Sequence, residues 1–165
     1  MSKIKTLPEL KEIISKLKKE GKTIVFTNGC FDLLHPGHIK ILKQAKKNAD
    51  ILIVGLNSDC SVRKIKDKGR PILDERARLQ ILQSIEFTDY ILLFDEKTPY
   101  NIIKKLRPNI LVKGKDWPEN QVIGRELVDK VIGITLKKGY STSKIIKKIL
   151  KAYQMNKCLK NQNRY

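Results

Sequence analysis

The chain has 165 residues, 41% of them hydrophobic, which suits one globular domain with its own core. No apolar run approaches the length of a bilayer span. Thirty-five basic residues stand against seventeen acidic ones, a net charge of +18, yet the excess is mostly lysine along helical faces, without an arginine-rich tract. That distribution speaks against nucleic acid as the main partner, and a small, highly phosphorylated substrate explains the sign of the charge equally well.

Along the chain, residues 1–22 place Leu7, Leu10, Ile13, Ile14 and Leu17 at helical spacing between lysines. This reads as an amphipathic helix on the body of the protein, since a signal peptide would carry a continuous apolar run. Residues 23–152 form the main domain. Apolar runs rich in Ile, Val and Leu predict strands at Thr23–Thr27, Ile51–Leu56, Tyr90–Phe94, Ile110–Val112 and Val131–Leu136. Helical patterns alternate with them at Gly37–Lys47, Asp74–Ser84, Pro99–Leu106, Gly124–Lys130 and Ser141–Ala152. Strands apolar throughout, alternating with helices, predict a single α/β domain: a Rossmann-like, doubly wound parallel sheet of about five strands. Residues 64–73 are charged and carry Gly and Pro, as a mobile loop would. Residues 153–165 read as a polar, frayed tail. From Lys137 to Tyr165 there are nine basic residues and no acidic one. The three cysteines include no Cys-x-x-Cys pair, and nothing in their spacing suggests disulfides or zinc. The whole reads as a soluble, cytoplasmic protein.

A doubly wound sheet binds ligands beyond the C-terminal ends of its strands. That rule gathers Asn28–His38, Asn57–Ser61, Asp95–Thr98, Lys113–Trp117 and Lys137–Ser143 into one crevice. Both histidines of the chain, His35 and His38, lie in the first of these segments. Gly29 permits a sharp turn and close approach of backbone to a ligand. Pro36 suits the first turn of a helix, whose free amides and positive dipole end favour phosphate. At i and i+3 the two imidazoles project from neighbouring positions, able to stabilise negative charge on a phosphorus centre. Cys30 either lines this site or is a small buried side chain in the turn. Asn57, Ser58 and Asp59 either reach sugar hydroxyls or cap the next helix. Arg70 is either a bidentate phosphate ligand or an exposed loop cation. Ser141, Thr142 and Ser143 open a helix, where capping and phosphate binding use the same amides. Trp117 either stacks on a base or packs in the body of the protein.

The run Asn28-Gly29-Cys30-Phe31-Asp32-Leu33-Leu34-His35-Pro36-Gly37-His38 resembles the His-x-Gly-His motif of the cytidylyltransferase-like nucleotidyltransferases. Further stretches, Gly55–Val62, Lys68–Ile72, Leu111–Trp117 and Gly139–Ser143, resemble one branch of that superfamily, the adenylyltransferase domain of bifunctional ADP-heptose synthase. Together they span about residues 23 to 150. Lys144 departs from that branch, which often has an apolar residue there, and matches glycerol-phosphate cytidylyltransferases instead.

The resemblance implies a nucleotidyltransferase domain over residues 23–152 that joins ATP to D-glycero-β-D-manno-heptose 1-phosphate, giving ADP-heptose and pyrophosphate. It implies His35 and His38 as catalytic residues. Asn28, Gly29, Cys30, Phe31, Lys113, Gly114, Asp116, Ser141, Thr142 and Ser143 would bind nucleotide and phosphate. Asp32, Asn57, Ser58, Asp59 and Arg70 would bind the sugar phosphate. Mg²⁺ would arrive with ATP, held by phosphate oxygens and water, with no protein metal site. The acceptor is a phosphate monoester already ionised at neutral pH, so the reaction needs positioning and cations rather than a general base. A homodimer and a separate heptose-phosphate kinase are expected from relatives. Glycerol-3-phosphate cytidylyltransferase and a riboflavin-type adenylyltransferase remain alternatives within the superfamily. Outside it, the alternative is a basic nucleic-acid-binding module.

Overall fold

In the computed structural model, which describes residues 2–114, 121–135 and 139–162, with side chains described through Gln154, the apolar runs become five parallel strands. They are β1 (Ile24–Gly29), β2 (Ile51–Asn57), β3 (Tyr90–Phe94), β4 (Ile110–Gly114) and β5 (Lys130–Ile134). Six helices accompany them: α1 (Leu7–Lys19), α2 (Pro36–Lys46), α3 (Asp59–Ile65), α4 (Glu75–Gln83), α5 (Tyr100–Leu106) and α6 (Thr142–Gln162). The sheet order is β3-β2-β1-β4-β5, so β1 and β4 meet where the winding reverses. Ahead of α1, Ile4 adds a parallel bridge to Ile91, with hydrogen bonds from Lys5 N to Ile91 O and from Ile91 N to Lys3 O.

Alternation along each strand divides the core in two. Ile24, Phe26, Ile53 and Leu111 face α1 and α5, packing with Leu10, Ile14, Ile102 and Ile103. Val25, Leu52, Val54 and Val112 face the other way, against Leu42 and Ala45 of α2 and Leu82 of α4. Thr6 starts α1 with a capping box: its hydroxyl accepts from the Glu9 amide, and the Glu9 carboxylate accepts from the Thr6 amide.

Several boundaries differ from those the pattern predicts. β1 runs on through Gly29 and β4 through Gly114, because parallel pairing continues past the apolar residues and carries Asn28 and Lys113 within the strands. The helix expected over Gly124–Lys130 is only a single 3₁₀ turn, Arg125–Leu127. Gly124 sits at φ 83°, packed so tightly on Ile103 that a Cβ would come within 2.9 Å of its Cδ1, and Val128 is already extended. Helix α3 occupies residues the strand and helix patterns left unassigned. Helix α6 continues to Gln162, beyond the expected end at Ala152. No helix among the described residues is long and apolar enough to cross a membrane.

Candidate active site

The turn after β1 is built so that each residue of His-Pro-Gly-His has one local job. His35 is the N-cap of α2, extended at φ −141°, and its Nδ1 accepts a hydrogen bond from the Gly37 amide at 3.2 Å. An accepting Nδ1 leaves the proton of the neutral ring on Nε2, which makes that atom the donor. Pro36 fills the first helical position, where its missing N–H has no function to lose. Gly37 is required by space: a Cβ there would lie 2.9 Å from His35 Cε1. His38, one turn on, stacks against His35 with ring centroids 3.8 Å apart and planes 19° from parallel.

Neither imidazole is charged at neutral pH. Burial, then the neighbouring His35, push His38 down to about 4, while Asp32 opposes the shift. Burial also lowers His35, partly offset by its backbone hydrogen bond. His38 Nδ1 is buried without a hydrogen-bond partner among the described residues. Phe31 backs the pair, its ring centroid 5.2 Å from that of His38. It is buried, and its φ of 46° is a left-handed conformation that only close packing sustains in an aromatic residue. Its ring lies over Gly29, where a Cβ would meet Phe31 Cε2 at 3.2 Å.

At the reversal of the sheet, Lys113 of β4 donates from Nζ to Asn28 Oδ1 of β1. Burial lowers the lysine to about 8. One residue back, Thr27 Oγ1 donates to Val112 O at 2.9 Å, tying the same two strands together. Gly114 ends β4 beside them. Asp116 and Trp117 lie outside the described residues.

The residues expected to bind the sugar phosphate all make hydrogen bonds within the protein. Asp32 is buried and accepts from Arg70 Nε, from Ile72 N at 2.8 Å and from Leu73 N at 2.9 Å. Burial pushes its carboxyl up, but the Leu73 and Ile72 amides and Arg70 outweigh that and hold it below the usual carboxylate range. The stretch read as a mobile loop is therefore anchored at Arg70–Leu73. Asn57 Nδ2 donates to Ser61 Oγ, and Ser61 Oγ to Glu96 O. Ser58 caps α3 by accepting from the Ser61 amide. Asp59 accepts from Arg78 at 2.7 Å, and its own amide donates to Glu75 Oε2. Around the Arg70 anchor lies an open cleft of about 600 Å³, lined by the cations Arg63, Lys66, Lys68 and Arg70 together with Asp59, Asp67 and Asp74.

Arg78, which the motif reading passed over, joins these parts. Its side chain is fully buried. It donates from Nη1 to Cys30 O at 2.6 Å and to Asn57 O at 2.7 Å, and from Nε to Leu73 O at 3.1 Å. With Asp59, the guanidinium uses four of its five N–H groups on backbone and side chains around the crevice. Its trace in the sequence is an arginine four residues before the buried Leu82, in the phase where α4 faces the core. The Cys30 thiol, only partly buried, is raised by that burial and stays protonated at neutral pH.

Ser141 stands at a separate element, the start of α6, where its hydroxyl accepts from the Lys144 amide and its carbonyl from the Ile145 amide. It is a helix cap whose first-turn amides, those of Thr142 and Ser143, remain available to an anion. No group of three His, Cys, Asp or Glu among the described residues is placed to hold a metal ion.

The model of the cytidylyltransferase-like family matches residues 26–148, from within β1 into α6. The chain belongs to the cytidylyltransferase-like family. Among curated proteins, this family member is 49% identical over 156 residues to "Bifunctional protein HldE" of Geobacter metallireducens, covering 92% of this chain and 32% of that protein. The HldE of Campylobacter jejuni subsp. doylei is 49% identical over 145 residues, at 88% and 32% coverage. The chain thus spans about a third of the length of the relatives it matches. Among solved structures, the lipopolysaccharide core biosynthesis protein of Thermoplasma volcanium superposes with a TM-score of 0.62 at 27% identity, covering 72% of this chain and all of that one. Pantoate-beta-alanine ligase of Francisella tularensis, complexed with beta-gamma ATP and beta-alanine, shares the fold at a TM-score of 0.59 and 18% identity, with 84% and 68% coverage.

Proposed function

We propose that this chain transfers AMP from ATP to D-glycero-β-D-manno-heptose 1-phosphate, releasing pyrophosphate and forming ADP-heptose. The observation that carries the proposal is the stacked His35–His38 pair at the N-terminus of α2, beside the reversal of the sheet, in a chain 49% identical to HldE proteins.

The acceptor's phosphate oxygen attacks the α-phosphorus of ATP; that P–O bond forms as the bond from the α-phosphorus to the bridging oxygen of pyrophosphate breaks. The histidines serve as neutral N–H donors to the phosphates, His35 through Nε2, because burial keeps both uncharged at neutral pH. Gly29 and the amides at the start of α2 let the triphosphate approach backbone closely. Asn28, Phe31, Lys113 and Gly114 border the same place, and Ser141–Ser143 offer further amides for phosphate. On the acceptor side, Asp32, Asn57, Ser58, Asp59 and Arg70 shape the wall of the crevice, and the open cleft at Arg63, Lys66 and Lys68 admits a phosphorylated sugar. The described residues around the crevice offer N–H groups and cations rather than clustered carboxylates, so Mg²⁺ arriving with ATP would take its ligands from phosphate oxygens and water and would supply positive charge to the pyrophosphate. The proposal includes a cytoplasmic homodimer and a kinase that supplies the heptose 1-phosphate.

A pyrophosphate-release assay over ATP and CTP, each with heptose 1-phosphate, glycerol 3-phosphate and a riboflavin phosphate, tests this. Release with ATP and heptose 1-phosphate alone is expected. Release with CTP and glycerol 3-phosphate instead would overturn it.

A further inference from the structure

Lys113 is a partly buried lysine at the reversal of the sheet, and its partner among the described residues is an amide oxygen rather than a carboxylate. The register Val25↔Ile110 and Phe26↔Leu111, continued two residues, sets Asn28 level with Lys113. On its other side Lys113 pairs in register with Gly133 of β5, which presents no side chain. Titratable groups of the neighbouring turn are Cys30, Asp32, His35 and His38. Asp32 is already committed to Arg70 and two amides, and the other three are neutral at pH 7. Among the described residues no carboxylate forms an ion pair with Lys113, and burial alone shifts it.

A buried ammonium held by a neutral oxygen is under-compensated, and the structure tolerates it at the cost of a weakened hold on its proton. An anion arriving at this spot reverses the balance. We propose that Lys113 is the cation that receives the nucleotide's phosphates, exchanging Asn28 Oδ1 for a phosphate oxygen, and that it draws a proton from solvent as the nucleotide binds. The inference rests on the nucleotidyltransferase reading and adds a division of labour within it. The histidines contribute directed N–H groups, and Lys113 contributes the positive charge. Asn28 is then a positioning residue that keeps the lysine extended between turnovers.

Titration calorimetry with Mg²⁺–ATP, run without acceptor so that no chemistry occurs, reads the proton directly when repeated in two buffers of different ionisation heat. With Lys113 near 8 in the free protein, about half a proton per site is taken up at pH 8, falling to about a tenth at pH 7. Lys113→Met loses that uptake and binds ATP about 10- to 100-fold more weakly at pH 7. Lys113→Arg keeps a charge that does not titrate, so it binds ATP without uptake at pH 8. Uptake through the histidines instead would peak below pH 6.5 and vanish in His38→Ala. Wild-type binding at pH 8 without proton uptake overturns the proposal and needs no variant to fold. Uptake upon adding sugar phosphate, but not ATP, also overturns it by moving Lys113 to the acceptor. Failure of every form to bind ATP would instead remove the nucleotidyltransferase reading.

Discussion

Acid should loosen this protein well before its carboxylates titrate, because His38 is buried in its neutral form. In the unfolded chain the imidazole titrates at its ordinary 6.5; in the folded protein it titrates at about 4. Between those values the unfolded state binds the extra proton, so stability falls as pH falls through that window. The 2.5-unit difference corresponds to about 3 kcal/mol at its limit, and at pH 5 about 2 kcal/mol is already lost, at 1.36 kcal/mol per unit. For a domain with ordinary stability, that is a substantial fraction. His35, shifted in the same direction, adds to the loss. Asp32 titrates below the usual carboxylate range, so its contribution disappears only further down. Urea denaturation at pH 7, 6, 5 and 4.5 measures the effect, compared between wild type and His38→Gln. The variant should keep most of the stability that wild type loses between pH 6.5 and 4.5, while losing pyrophosphate release. Parallel pH curves for the two proteins would refute the reasoning.

Other perturbations separate folding from chemistry. Gly37→Ala adds a methyl 2.9 Å from His35 Cε1, so the ring must leave its stack; the roughly 1 kcal/mol of helix propensity gained offsets the lost cap, and a thermal melt should move little. Pyrophosphate release should nevertheless fall about 100-fold in the same variant. Asp32→Ala strands the Arg70 cation and the Ile72 and Leu73 amides, and should cost about 3 kcal/mol in urea titration and expose residues 64–73 to limited proteolysis. Arg78→Leu leaves three backbone carbonyls and Asp59 unpaired, with a loss of about 3 to 5 kcal/mol, whereas removing the exposed Arg76 should change the denaturation midpoint hardly at all.

The strands and the histidine turn were legible because each rests on local rules. Apolar runs of Ile and Val can only be buried parallel strands when helices alternate with them, and His-Pro-Gly-His carries cap, first turn and close approach in four letters. Boundaries were harder: Asn28 and Lys113 are polar, yet pairing with neighbouring strands keeps them in the sheet, and nothing local signals this. The reversal at Gly124 depends on contact with Ile103, twenty-one positions earlier, so the helical pattern after it misleads. The expected acceptor residues show a different limit. Asn57, Ser58 and Asp59 are short polar residues after a strand, and polarity alone does not say whether a side chain faces a ligand or its own protein neighbours, here Ser61 and Arg78. The charge state of the histidines was equally hidden, since it follows from packing around them.

The guanidinium of Arg78 fixes a constraint on how this chain can be recombined. Three segments, the turn after β1, the last residue of β2 and the approach to α4, each bring a carbonyl to the same planar fork. Their lengths are therefore coupled: inserting or deleting a residue in any one withdraws its oxygen from a donor that nothing else nearby replaces. A chimera that grafts a new acceptor-side segment onto this scaffold should carry α4, the turn after β1 and the end of β2 as one block. Segments exchanged singly should yield insoluble protein even when each half of the graft comes from a working parent.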